Sequence, residues 1–234
     1  MSGRLRHLVL FDIDGTLIST GGRAGKALAS ALEQTFGTAG PYETFRYSGK
    51  TDPQIVFELM NLAGHGREVV EPRLDEVFRR YLTGLRGALG PEVVQVLPGV
   101  RPLLELLAER DDTAVGLLTG NVAPGAAIKL QTAGLDGFFG IGAYGSDDED
   151  RNRLVAIARG RAAQRYGHDF AGGGTVVVGD AEADIRCARA GGARSVAVAS
   201  GWTTRNELAA LEPDALLDSL DPESALPVLF AADS

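Results

Sequence analysis

From Leu97 onward, short uninterrupted apolar runs alternate with amphipathic helical stretches, and this rhythm restricts the fold more than any other feature. The runs are Thr113–Leu118 (TAVGLL), a glycine-rich stretch at Phe138–Tyr144, Thr175–Val178, Ser195–Ala199 and Ala215–Leu217. Between them the spacing predicts helices over Pro98–Glu109, Pro124–Ala133, Arg151–Tyr166, Ala183–Ala190 and Arg205–Leu211. A strand that is apolar at successive positions is buried on both faces, which is met in a parallel sheet with helices on either side. The expected fold class is therefore α/β, a doubly wound parallel sheet, whose ligands bind beyond the carboxyl ends of the strands. Leu8–Phe11 has the same character, and the stretch LVLFDIDGTLI carries it straight into two aspartates.

Residues 19–93 differ. Ala24–Phe36 is alanine-rich, with Leu28, Leu32 and Phe36 at helical spacing. Thr51 and Asp52 open a second helix with Pro53 in its first turn, and Arg73–Leu85 supplies a third. Glycine- and proline-bearing breaks separate them. The expected division is an α/β core from 1–18 and 94–234 and a small all-helical unit at 19–93.

At 234 residues and 44% hydrophobic content, the chain has ample material for such a core. A net charge of −8 argues against a general nucleic-acid or anionic-membrane surface. No apolar run approaches the roughly 20 residues of a membrane span, and acids interrupt the N-terminal run too early for a signal-peptide core. Cys187 is the single cysteine, so no intrachain disulfide forms and a cytoplasmic location is expected. Lysine is scarce: Lys26, Lys50 and Lys129 are the only three among 23 basic residues.

Four polar sites fall just beyond predicted strand ends: Asp12–Thr16, Thr119–Asn121, Gly145–Arg151 and Gly179–Asp184. On an extended strand Asp12 and Asp14 share a face, and two such carboxylates repel each other. Asp180 leaves a strand and Asp184 lies one turn into the next helix, so both can face the same space. Four carboxylates on one rim call for a hard divalent cation with oxygen ligands, Mg2+, and no His/Cys cluster suggests zinc. The plainer readings are an Asp-Gly turn at Asp14 and a helix cap by Asp180 or Glu182. Thr119, Gly120 and Asn121 place a hydroxyl, a glycine N–H and an amide before a helix N-terminus, which suits phosphate, although the triplet is also a good turn and cap.

In order and spacing, the four sites resemble the motifs of the haloacid dehalogenase superfamily. FDIDGTL matches its DxDGT loop, LLTGN its strand ending in Thr or Ser, and GDAEAD its GDxxxD acidic pair. The helical insert after the first motif is similar to that of the phosphoglycolate phosphatase-like subgroup. The resemblance implies a Rossmann-like core and a helical cap. It also implies a Mg2+-dependent phosphatase acting on a small phosphorylated metabolite, with an aspartyl-phosphate on Asp12 and Asp14 as general acid and base. Mg2+ would be held by Asp12, the Asp14 backbone carbonyl and Asp180, with Asp184 a direct or outer ligand. Members that dehalogenate lack the second aspartate, so Asp14 favours phosphoryl chemistry. The third motif departs: the family usually has Lys, often Lys-Pro, where this chain reads DDEDRNRL. Arg151 stands in that place. Lys129, on the helix after Thr119, leans back toward the same rim, and the two are equal candidates for the positive charge. A phosphomutase of the β-phosphoglucomutase type, a pyrophosphatase and a catalytically silent binding module are the alternatives.

Other features read as less informative. Gly49-Lys50-Thr51 lacks the first glycine of a P-loop, since position 44 is Thr44. Lys50 is better taken as a substrate contact on a loop of the helical insert. Cys187 lies on an apolar helix face and is expected in the core. His7, His65 and His168 share no site-like spacing, and Trp202 is expected to pack.

Overall fold

His7–Phe11 (β1) runs through the centre of a six-stranded parallel sheet. The computed structural model describes residues 5–170 and 172–231. After β1 come a two-residue strand, β2 (Ile18–Ser19), and the helices α1 (Arg23–Phe36), α2 (Asp52–Leu62), α3 (Arg67–Val70) and α4 (Leu74–Ala88). The chain returns through β3 (Gln95–Val96), which pairs antiparallel with β2, Ile18 opposite Val96. The remainder alternates: α5 (Val100–Ala108), β4 (Thr113–Thr119), α6 (Ala123–Ala133), β5 (Ile141–Tyr144), α7 (Leu154–Tyr166) and β6 (Thr175–Gly179). It ends with α8 (Glu182–Ala190), β7 (Arg194–Val198), α9 (Arg205–Ala210), β8 (Ala215–Leu217) and α10 (Pro222–Leu229).

The strand order is β5-β4-β1-β6-β7-β8. Leu8 pairs with Ala114 and Thr175, and Phe11 with Leu117 and Val178. From β1 the chain moves outward through β4 to β5, then crosses back to β6 and moves outward the other way. The topological switch point thus lies between β1 and β6, where doubly wound sheets open a crevice. Alternation along β1 divides the core. Val9 and Phe11 join the layer containing Leu103, Leu104 and Leu107 of α5, and Leu8 and Leu10 join that of α7 and α8. All four β1 side chains are fully buried, each worth about 1.5–3 kcal/mol relative to exposure. Within the helical insert α1 packs on α4, and Leu28, Leu32, Val77, Tyr81 and Leu85 extend the first layer.

Differences from the sequence-based expectation lie at element ends and in short pieces. The helix expected from Pro98 begins at Val100, because Gly99 turns the chain in a left-handed conformation. Arg151–Arg153 is a 3-10 turn before α7, and Phe138 closes another, leaving β5 to start at Ile141. Pairs of two residues such as β2 and β3 carry no periodicity to read. The helix α10 was hidden by Pro222 and Pro227. Each histidine packs against a phenylalanine, His7 on Phe230, His65 on Phe36 and His168 on Phe170. Among the described residues no helix is long and apolar enough to cross a membrane.

Beside the edge strand β8, the Asp214 carboxylate accepts from the Ser195 N–H and hydroxyl, both at 2.7 Å, tying the approach to β8 onto β7. Burial works upward on this carboxyl, but the Ser195 bonds and Arg194 outweigh it and hold it below the ordinary range. The stabilisation is therefore present above about pH 4 and is lost as pH falls through the lower folded value. Asp214→Ala should lower stability by about 1 kcal/mol at pH 7, and by less at pH 3, as measured by urea melts at both values.

Candidate active site

The parallel pairing of β1 with β6 continues one residue past the strand, the Asp12 N–H donating to the Val178 carbonyl at 2.9 Å. The chain then turns tightly, with the Ile13 carbonyl accepting from the N–H groups of Leu17 and Ile18. Gly15 has φ +85°, and a Cβ there would lie 2.5 Å from Asp180 Oδ2. Only glycine meets both demands. Thr16 donates its hydroxyl to Asp180 Oδ1 at 3.0 Å, and Ser200 donates its own to the Gly15 carbonyl at 2.8 Å.

Asp12, Asp180 and Asp184 meet at the switch point, all buried, with one oxygen of each within 4.8 Å of the others. Asp184 also accepts from the Ala181 N–H at 3.0 Å, so it caps α8, the role the plainer reading gave to Asp180 or Glu182. Burial, then the charges of Asp184 and Asp12, push the Asp180 carboxyl well above the ordinary range. Burial raises Asp184 to about 7 against the opposing pull of Arg151. Arg151 lies inside this group. It pairs with Asp12 Oδ1 at 3.2 Å and with Asp184 Oδ1, and it donates to the Gly49 carbonyl at 3.3 Å. Burial disfavours its charge, but Asp184 and Asp12 more than restore it. Three carboxylates against one guanidinium leave an excess of negative charge among oxygen donors only, a donor set that fits a hard divalent cation.

Asp14 is not part of that group. Its side chain is 41% exposed, and its Oδ2 accepts from Lys129 Nζ at 2.5 Å and Asn121 Nδ2 at 2.8 Å. The four acids expected to crowd together are thus three and one. The alternation rule fails here because β1 ends at Phe11 and the turn redirects the second acid. Lys129 also reaches Asn121 Oδ1 at 2.5 Å, and Asn121 donates to Thr119 Oγ1 at 2.8 Å. Arg151 and Lys129, weighed as competitors, are both buried and serve different acids.

The segment Gly49–Asp52 of the helical insert lies across this rim. Thr51 donates to the Glu149 carbonyl at 2.9 Å, and Asp52 N–H to the Gly120 carbonyl at 2.7 Å. A Cβ on Gly120 would collide with the Lys50 carbonyl. The Lys50 side chain turns away to Glu58, at 2.9 Å, within the insert. Trp202 was expected to pack but is 84% exposed. Its neighbour Gly201 is pressed so closely onto the Asp180 carboxylate that a Cβ would overlap it, leaving the indole outside. Sequence reasoning missed Ser200, Gly201 and the contacts of Asp52. Thr16 stood inside a recognised motif without being singled out.

The sequence profile of the haloacid dehalogenase-like hydrolases matches residues 7–192. The chain belongs to that family. It is similar to the protein named "Probable phosphatase IndB" of Dickeya dadantii, 29% identical over 218 residues covering 92% of this chain and 90% of that one. The phosphoglycolate phosphatase of Agrobacterium fabrum is 26% identical over 239 residues, covering 97% and 93% of the two chains. The crystal structure of CbbY from Rhodobacter sphaeroides in complex with phosphate shares the fold, with a TM-score of 0.72 at 18% identity, covering 96% of this chain and 99% of that one. In this haloacid dehalogenase-like hydrolase the loop after β5 brings an arginine, Arg151, onto Asp12 and Asp184. Cys187 packs in the same layer as expected, with burial pushing its thiol up to about 12.

Removing one partner of a buried ion pair leaves the other uncompensated, at a cost of about 3–5 kcal/mol. Arg151→Met should destabilise the protein by that order in the presence of a chelator, read from urea melts, since both Asp12 and Asp184 lose their partner.

Proposed function

We propose that the protein is a Mg2+-dependent phosphatase of small phosphomonoesters, with Asp12 as nucleophile and Asp14 as general acid and base. The observation that carries this reading is the separation of the acids. Asp12 stands in a buried carboxylate group suited to a cation, whereas Asp14 stands apart on Lys129 and Asn121. A nucleophile and a proton carrier need such different surroundings.

In the first step an Asp12 oxygen bonds to phosphorus as the ester P–O bond breaks, and protonated Asp14 gives its proton to the leaving oxygen. In the second, Asp14 takes a proton from water, whose oxygen bonds to phosphorus as the Asp12–phosphorus linkage breaks. Phosphate leaves and Asp14 is again protonated. Lys129 and Asn121 orient Asp14, and Arg151 orients Asp12. Thr119, already accepting from Asn121, keeps its own hydroxyl proton for a phosphate oxygen, beside the Gly120 and Asn121 region. When bound by Asp12, the Asp14 carbonyl and Asp180, with Asp184 beside them, Mg2+ supplies positive charge that offsets repulsion between nucleophile and phosphate.

Residues 19–93 act in this reading as a cap over the rim, with Lys50 a candidate substrate contact once freed from Glu58. The names of the relatives make 2-phosphoglycolate the first substrate to try, and a chain with a single cysteine suits a reducing cytoplasm.

The wild-type chain should release phosphate from p-nitrophenyl phosphate with Mg2+ and lose that activity with EDTA. Asp12→Asn should remove turnover by at least about a thousandfold while circular dichroism stays unchanged. An active Asp12→Asn protein would overturn the assignment. Mg2+ should also raise the melting temperature of the wild type, and Asp180→Asn should weaken that shift.

A further inference from the structure

Asn121 is the hinge of the Asp14 environment: it donates to Asp14 and Thr119 and accepts from Lys129. Its position depends on the peptides on either side of it. Both are held by one residue of the helical insert. The Asp52 N–H donates to the Gly120 carbonyl at 2.7 Å, and Asp52 Oδ2 accepts from the Val122 N–H at 2.8 Å. Val122 is the N-cap residue of α6, and its side chain supplies no capping hydrogen bond. Pro124 in that first turn has no N–H to satisfy, and the Ala123 N–H goes to Ser146 Oγ at 3.1 Å. Asp52 is 8% exposed, although it opens a helix whose cap is already supplied by Thr51 Oγ1. A first-turn acid on a surface helix stays in water; this one is inserted into the neighbouring unit.

We propose that Asp52 is a positioning residue for the reaction: by clamping Gly120 and Val122 it fixes Asn121, and with it the orientation of Asp14. This rests on the reading of Asp14 as the acid and base. Asp52 bonds to no side chain of the acidic group, and it meets the phosphate-site loop only at backbone groups, the Gly120 carbonyl and the Val122 N–H. It acts through the loop, and it does so only while the helical insert is seated on the core. Burial raises its carboxyl to about 6, with Lys129 opposing the rise, which agrees with a place close to the ammonium that also serves Asp14. The arrangement couples seating of the insert to readiness of the proton carrier. An insert that lifts away takes with it both bonds that bracket Asn121.

The test compares two aryl phosphates of similar shape, phenyl phosphate and p-nitrophenyl phosphate. Phenolate is the poorer leaving group and depends on a proton from Asp14, whereas p-nitrophenolate leaves without one. In the full chain with Mg2+, kcat/KM covers the step in which the leaving group departs. Asp52→Ala should lower it on the order of tenfold or more for phenyl phosphate and only by a small factor for p-nitrophenyl phosphate. Asp52→Asn keeps an acceptor oxygen for Val122 and should restore most of the difference. Asp52→Ser is too short to reach Val122, leaves less of a void, and should behave as Asp52→Ala does if the alanine variant does not fold. Equal losses on both esters in the folded variants, or no loss, overturn the proposal alone. A wild type that hydrolyses neither ester overturns the phosphatase reading and this proposal with it.

Discussion

Burial of three carboxylates at one point of the sheet is the constraint to which the surrounding structure answers. Taking an ionised carboxylate out of water costs several kcal/mol unless it is paired. Here Asp12, Asp180 and Asp184 are buried together. Arg151 threads between them from the loop after β5, Thr16 and the Ala181 N–H supply hydrogen bonds, and the remaining oxygen donors fit a divalent cation. The backbone is shaped to the same end. Gly15 and Gly201 lie against the Asp180 carboxylate at distances no side chain permits, so walls of bare peptide enclose the acid. The site is defined as much by what cannot fit beside Asp180 as by what does.

Lys129 and Arg151 divide the positive charge in a way that follows from their chemistry. The guanidinium, planar and with several donors, bridges two carboxylates and two backbone carbonyls. The ammonium, a compact charge at the end of a helical side chain, serves a single acid and a single amide. Each cation stands where its geometry is useful, and neither substitutes for the other.

The fold was largely legible because its strands are buried on both faces. Uninterrupted apolar runs such as TVVV at 175–178 carry little of the ambiguity of an amphipathic stretch, and their ends name the rim on which Asp12, Thr119 and Asp180 stand. The side-chain partnerships were less legible, for a physical reason: they depend on a turn's path or on contacts between distant parts of the chain. Asp14 leaves the face shared with Asp12 because β1 stops at Phe11. Asp52 carried the signature of a helix start and also works as one end of a bond to Val122, 70 residues away. Gly201 gave no signal, since nothing in a lone glycine after a strand announces that a carboxylate lies against it.

The short pairing of β2 with β3 has a consequence for how such a chain can change. Ile18 and Val96 are neighbours, so the helical insert leaves and rejoins the core through adjacent doors. Topologically, everything between Ser19 and Gln95 is the turn of one β-hairpin. The entropy of closing a hairpin turn grows only with the logarithm of its length. Segments of quite different size and sequence can therefore be grafted between the same two strands while the sheet, its register and the ends of its strands stay as they are.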